Sequence, residues 1–198
     1  MATRSNYNKT ISATTLRVGE VRFSYVYVMA PHKSAQDGKE KYSIQILLPK
    51  DDRLAKAMID SAVEAAVENG ITSKWNGKRP VAAKLKLPVR DGDEEYPDDP
   101  TYHNMWFFNA TANADRRPGV CILEMGELVA PMEMDDIYSG CWGAAVINFY
   151  PYSVSGNTGV AVGLNNVIKT RDDERLGGGK RSVETDFGDL VDGGSVLD

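Results

Sequence analysis

Two stretches of this 198-residue chain set cations beside flat rings. Pro31–Lys41 carries Lys33, Lys39 and Lys41, and the run to Arg90 carries Lys74, Lys78, Arg79, Lys84, Lys86 and Arg90 around Trp75. Tyr102, Trp106, Trp142, Tyr150 and Tyr152 follow, with Arg116 and Arg117 in a connecting loop. Cations track a phosphate backbone, and an unstacked base on a ring is worth roughly 1–3 kcal/mol. The pattern therefore points to sequence-independent binding of a single strand. The plainer alternative is that strand aromatics face a core and lysines solvate a surface. Trp75 stands apart because it sits among cations and not in an apolar pattern. In 104–113 the sets Met105, Phe107, Asn109 and Trp106, Phe108, Ala110 are both apolar enough to face inward, so the pattern leaves the inner face open.

Enzymatic chemistry has one foothold, the loop Asp91-Gly92-Asp93-Glu94-Glu95-Tyr96-Pro97-Asp98-Asp99. Clustered carboxylates hold divalent ions, and two-metal nucleases use them. The spacing is not that of an EF-hand, and adjacent acids on a loop point apart. A solvated loop, or a complement to the basic half of a neighbouring subunit, fits it better. Gly177-Gly178-Gly179-Lys180 lacks the spacing of a phosphate-binding loop. His32 and His103 are the two histidines, and Cys121 and Cys141 have no C-x-x-C spacing. The expectation is a reduced, intracellular protein with no catalytic residue, metal or cofactor. No signal segment opens the chain and no apolar run is long enough for a bilayer, so no membrane role is expected.

The net charge of −5 conceals a division. Residues 1–90 hold 16 basic and 8 acidic residues, and residues 91–136 hold 12 acidic and 2 basic. From Ser182 to Asp198 there are five acids and no Lys or Arg, interspersed with Phe187, Leu190, Val191, Val196 and Leu197. Such a tail suits competition with DNA for a basic cleft, or apolar anchorage of replication proteins.

These residues need elements to hold them. Alternation predicts a strand over Glu20–Ala30, with Val21, Phe23, Tyr25, Tyr27 and Met29 on one face, and a second over Lys41–Pro49. Asp51 and Asp52 open a helix over about 51–69. Its stripe is Leu54, Ala55, Met58, Ile59, Ala62, Val63 and Ala66, and Gly70 is placed to end it. Strands follow over Asn104–Asn113, Gly119–Glu124, Gly140–Tyr150 and about Gly159–Lys169. Gly140 and Gly143 suggest the bend that closes a small barrel. The order excludes β-α-β alternation and predicts a mainly β protein. Its core is an OB-like, five-stranded, partly open barrel with one inserted helix. The divisions are a mobile arm (1–18), the barrel (19–171) and a flexible acidic tail (172–198).

Several stretches then resemble one family in order: Gly19-Glu20-Val21-Arg22-Phe23-Ser24-Tyr25, Lys84-Leu85-Lys86-Leu87-Pro88-Val89-Arg90-Asp91-Gly92-Asp93, Tyr138-Ser139-Gly140-Cys141-Trp142-Gly143, Ile147-Asn148-Phe149-Tyr150-Pro151-Tyr152 and Gly163-Leu164-Asn165-Asn166-Val167. They look like tailed-phage early proteins, long of unknown function, that were related to phage single-stranded DNA-binding proteins with an OB fold. The likeness spans roughly 19–171. It implies protection of single strands in phage DNA replication or recombination, without enzymatic activity, and recruitment of phage or host replication proteins by the acidic tail. Weak self-association along DNA would accompany it. In related proteins such tails often finish on phenylalanine. Here the end is Val196-Leu197-Asp198, and Phe187 lies eleven positions before the last residue. The rival readings are a nuclease using Asp91, Asp93, Glu94 and Glu95, and an acidic protein-interaction or inhibitory module.

Overall fold

The structure is a computed structural model that describes residues 6–34 and 37–177. Ten strands and two helices run in the order β1 (Lys9–Thr10), β2 (Thr15–Lys33), β3 (Glu40–Pro49), α1 (Arg53–Ser73), β4 (Leu85–Lys86), β5 (Arg90–Asp91), α2 (Gly92–Glu95), β6 (Met105–Asn113), β7 (Gly119–Glu124), β8 (Glu127–Val129), β9 (Trp142–Val154) and β10 (Asn157–Arg171). Five of them close a barrel. β2 pairs antiparallel with β3 and β9, β3 with β6, and β9 with β10. The seam between β6 and β10 is parallel and rests on the single pair Thr111–Gly163. This is the OB arrangement, with the helix between the second and third barrel strands and the partly open seam bridged at one point.

The long strand β2 serves both halves of the barrel because it is bulged. Its buried residues change parity from Leu16 and Val18 to Val21 and Phe23, and again to Val28. The register shifts fall between Gly19 and Val21 against β9, and between Ser24 and Tyr27 and again between Tyr27 and His32 against β3. A bulge adds a residue, bends the strand and re-aims the side chains beyond it. Tyr25, at φ 44, marks the second one. It turns Tyr25 and Tyr27 outward, where strict alternation put them on the face of Val21 and Phe23.

Leu16, Val18, Phe23, Ile44, Ile46, Leu48, Phe108, Ala110, Ile147 and Phe149 fill the interior. That settles 104–113: Phe108 and Ala110 face inward. Helix α1 starts where the Asp52 carboxylate accepts from the Ala55 N–H at 2.9 Å, and it buries Ala55, Ile59, Ala62, Val63, Ala66, Val67 and Gly70. Leu54, expected in the stripe, is exposed. The helix also runs a turn past its expected end. The Gly70 carbonyl accepts from both Lys74 and Trp75 N–H, so the chain folds back and drops the indole onto Gly70.

The barrel begins earlier than residue 19. Lys9 and Thr10 pair with Arg17 and Leu16, and Thr15 pairs with Asn148, so part of the expected mobile arm is sheet. Beyond Arg171 the chain returns as a strap. Arg22 donates to the Glu174 carbonyl, Trp142 Nε1 to Asp173, and the Leu176 N–H to the Ser139 carbonyl. Residues 1–5 and 178–198, including most of the expected tail, lie outside the described residues.

Candidate nucleic-acid interface

Residues directly opposite across a ladder share a face, which orders the outer surface of β2, β3 and β6 into rows. The row at the open end is His32, Lys41 and Asn113, and the next is Tyr27, Ser43 and Thr111. Asn109 is exposed on the row below. Below that, Leu47 and Phe107 lie under a lid. Tyr102 packs on both, Tyr96 stacks on Tyr102 at 4.5 Å, and Leu176 of the strap closes the side. The open rows and this lid border a cleft of about 330 Å³ lined by Ser24, Tyr25, Val26, Tyr27, Thr101 and Tyr102, with Leu176 and Gly177 at its rim.

The rings on this face are ones the sequence reasoning passed over. Tyr25 is 60% exposed and Tyr27 42%. Tyr27 stacks on His32 with centroids 3.9 Å apart and planes 21° apart, and His32 Nδ1 lies 3.1 Å from the Lys41 carbonyl. The result is a stacked two-ring platform, with Tyr27 also lining the cleft. The bulge parity was the available signal, though it is invisible to a period-2 reading.

Of the predicted phosphate contacts, Lys33, Lys39, Lys41, Arg116 and Arg117 gather here. Lys33 and Lys39 are exposed at the β2–β3 tip, and Arg116 and Arg117 leave the end of β6 just past Asn113. Lys41 donates to Asp37 at 2.7 Å, which holds that carboxyl at about 2. A second basic group lies around the β9–β10 turn. β4 pairs with Thr158 and Gly159, Lys86 Nζ donates to Asn157 at 2.7 Å, and Lys84 is exposed beside it. OB folds bind oligonucleotides on the face of the second and third strands together with the loops after the first and fourth. Here those loops are the Lys33–Lys41 tip and this turn. Lys74 and Lys78 are exposed after α1. Arg79 is held by Glu64 and Glu68, and Arg90 by Glu95 while lying over Phe107.

The expected stacking rings fare worse. Trp75 is 7% exposed, its Nε1 donating to the Tyr152 carbonyl at 3.2 Å. Trp142 is equally buried, with Arg171 over its ring at 4.3 Å. Tyr102 is 5% exposed, its hydroxyl on Gln45 Oε1 at 2.8 Å. All three bind the fold together and present no face to a base. Trp106 is half-buried, with Lys50 and Lys56 ammoniums at 4.6 and 4.7 Å from the ring. Tyr150 is exposed and Tyr152 half-buried, both on β9.

Burial pushes the Tyr102 phenol up to about 12. The unfolded phenol ionises near 10 while the folded one keeps its proton, so the native state loses stability as pH rises from 10 to about 12. Denaturation of Tyr102→Phe across that range should show a shallower pH slope. At neutral pH it should also show a loss of about 1–3 kcal/mol, because Gln45 Oε1 loses its partner.

The acidic segment spends its carboxylates on itself. Asp91 caps α2 and binds Lys50 at 2.5 Å; Asp93 binds Lys50 at 2.7 Å and the Asn104 N–H; Asp99 caps the turn through the Thr101 N–H. Among the described residues no three His, Cys, Asp or Glu side chains come together as a metal site. No helix among them is long and apolar enough to cross a membrane.

Known proteins share this architecture. The Enterobacter phage Enc34 ssDNA-binding protein family matches residues 14–196. The structure of the bacteriophage Enc34 single-stranded DNA-binding protein in complex with ssDNA superposes with a TM-score of 0.74 at 28% identity, covering 89% of this chain and 97% of that one. A putative protein p50 of Acyrthosiphon pisum secondary endosymbiont phage 1 is 28% identical over 185 residues, 88% of this chain and 93% of that protein. The single-stranded DNA-binding protein gp2.5 of bacteriophage T7 shares the fold, with a TM-score of 0.55 at 17% identity, covering 96% of this chain and 99% of that one. With the family matching residues 14–196 and the barrel superposing over most of its length, the chain belongs to the Enc34-type phage single-stranded DNA-binding proteins.

Proposed function

We propose that this chain binds single-stranded DNA without sequence preference across the outer face of β3 and β6. Tyr25 and the Tyr27–His32 pair take bases, and Lys33, Lys39, Lys41, Arg116 and Arg117 take phosphates. Lys84 and Lys86 extend the track at the β9–β10 turn. The observation that carries this is the outward turn of Tyr25 and Tyr27 at the bulge, which puts exposed rings in the middle of the cations. A duplex hides its base faces, so the platform favours single strands. Anisotropy of labelled oligo-dT against duplex at rising salt tests the reading. Each phosphate contact adds about 0.7 to the slope of log affinity against log salt for a single strand. Replacing Lys33, Lys39, Arg116 and Arg117 with alanine should therefore lower the slope by roughly 2–3. An unchanged slope overturns the assignment.

The protein holds and protects strands and leaves them intact; its place is phage DNA replication or recombination in the host cell. The acidic carboxylates support this reading, since Asp91, Asp93, Glu95 and Asp99 are each turned to a lysine, an arginine or a backbone N–H of their own chain. Labelled single strands incubated with magnesium or manganese should stay uncut. The unit that binds is the barrel with its strap. Leu176 and Gly177 of the strap line the cleft, and the acidic residues follow them in sequence. They compete for that face and serve replication partners. A chain ending at Gly177 should bind oligo-dT more tightly at low salt than the full chain.

A further inference from the structure

The β7–β8 hairpin and the segment just after it expose a run of large apolar side chains. Met125, Leu128, Met132 and Met134 are exposed within ten residues, and Val129 is exposed beside them. Among the described residues β8 pairs with β7 alone, and its other edge is unpaired. Monomeric surfaces seldom gather large apolar side chains in this way outside a contact site. The hairpin is also acidic: between Pro118 and Ile168 there is no Lys or Arg. Glu124 and Glu127 stand directly opposite each other across the ladder. Like charges so placed repel, and an incoming cation relieves them. Asp135 and Asp136 are used internally, by Arg175 and by the Met132 and Glu133 N–H groups. The hairpin thus asks for an apolar recess with a cationic rim.

The same chain has one. A groove of about 410 Å³ lies between β1 and α1, lined by Ala13, Leu16, Ala57, Met58, Ala62 and Ala65. Exposed Ile11 and Leu54 flank it. The cations near it in the chain are Lys9, which precedes the lining Thr10 in β1, and Arg53, one helical turn before the lining Ala57. Both are exposed and make no ion pair among the described residues. We propose that the β7–β8 hairpin of one copy docks in the β1–α1 groove of the next, methionines in the recess and Glu124 and Glu127 against Lys9 and Arg53. Flexible methionines suit a recess of irregular shape. Two different surfaces meeting head to tail build an open row, not a closed dimer. Resting on the single-strand reading above, the contact would string copies along one strand.

Two charge reversals in the full chain test it: E124K/E127K on the hairpin and K9E/R53E on the groove, neither on the DNA face. Each is titrated onto oligo-dT long enough for several copies and onto oligo-dT that holds one. The unchanged chain should bind the long strand about tenfold or more tighter per copy, because neighbours on one strand meet at high effective concentration. Each variant alone should lose that gain and keep its affinity for the short strand. An equimolar mixture should regain it, since each reversed surface then meets its match and the copies alternate. Either variant alone keeping the gain, or the mixture failing to regain it, overturns the docking. A hairpin pairing with itself would leave K9E/R53E cooperative, and a groove filled by the chain's own tail would leave E124K/E127K cooperative. Sedimentation of the same four samples without DNA reads the contact directly. Loss of short-strand binding by the unchanged chain would therefore sink the DNA reading separately.

Discussion

Replacing Tyr25 and Tyr27 together with alanine should weaken binding to a short oligo-dT by at least about thirtyfold, taking the lower end of roughly 1–3 kcal/mol for each ring–base stack. The loss should be nearly the same at low and high salt. The phosphate contacts, and with them the counterions released, are untouched. That separates it from the lysine and arginine replacements, which change the slope. Both side chains are outside the core, and no buried partner is left unsatisfied when they are cut back. The variant should therefore keep its urea midpoint. His32 loses its stacking partner but keeps its contact with the Lys41 carbonyl, so the hairpin tip should hold its shape. Anisotropy at two salt concentrations, with an unfolding curve for each protein, decides the matter. Affinity within twofold of the unchanged chain would remove these rings from the site.

Trp75→Ala should do the reverse. Its ring plugs the space between the end of α1, Gly70 and Pro151, and deleting a buried aromatic costs about 3–5 kcal/mol. The urea midpoint should fall sharply, while the fraction that remains folded binds oligo-dT as before. Gly70→Ala attacks the same contact from below. A Cβ there would stand 2.6 Å from the indole and 2.8 Å from Pro151, so one methyl should also destabilise. A folded Trp75→Ala protein with normal stability and lost DNA affinity would restore the tryptophan to the interface.

These two variants mark where the sequence could be read and where it could not. The strands, the helix with its Asp52 cap and the OB class follow from period and punctuation, signals each element carries within itself. The cations at the hairpin tip and after β6 were legible for the same reason: a polar loop has few places to go but solvent. The rings were not. Trp75 lay among lysines in the sequence, yet a helix one turn longer than Gly70 suggested carried it back onto the barrel. Tyr25 and Tyr27 fell in step with Val21 and Phe23 until the bulge broke the step. Trp142 is bound by Asp173 and Arg171, residues beyond or at the end of the next strand in the chain. Whether an aromatic faces base or core depends on contacts distant in the chain, and no local pattern contains them.

Strand β10 joins β4, β6, β7 and β9 and is the last of the ten to be made. The seam at Gly163 cannot form, nor can the tie from Arg171 to Glu20, until it arrives. Pairings so far apart along the chain are slow to find. A ribosome-bound chain ending before Asn157 has no closed barrel, so the β3–β6 platform takes its final shape only once β10 has been made. The protein should therefore gain its grip on DNA all at once when β10 docks, and not gradually as it emerges.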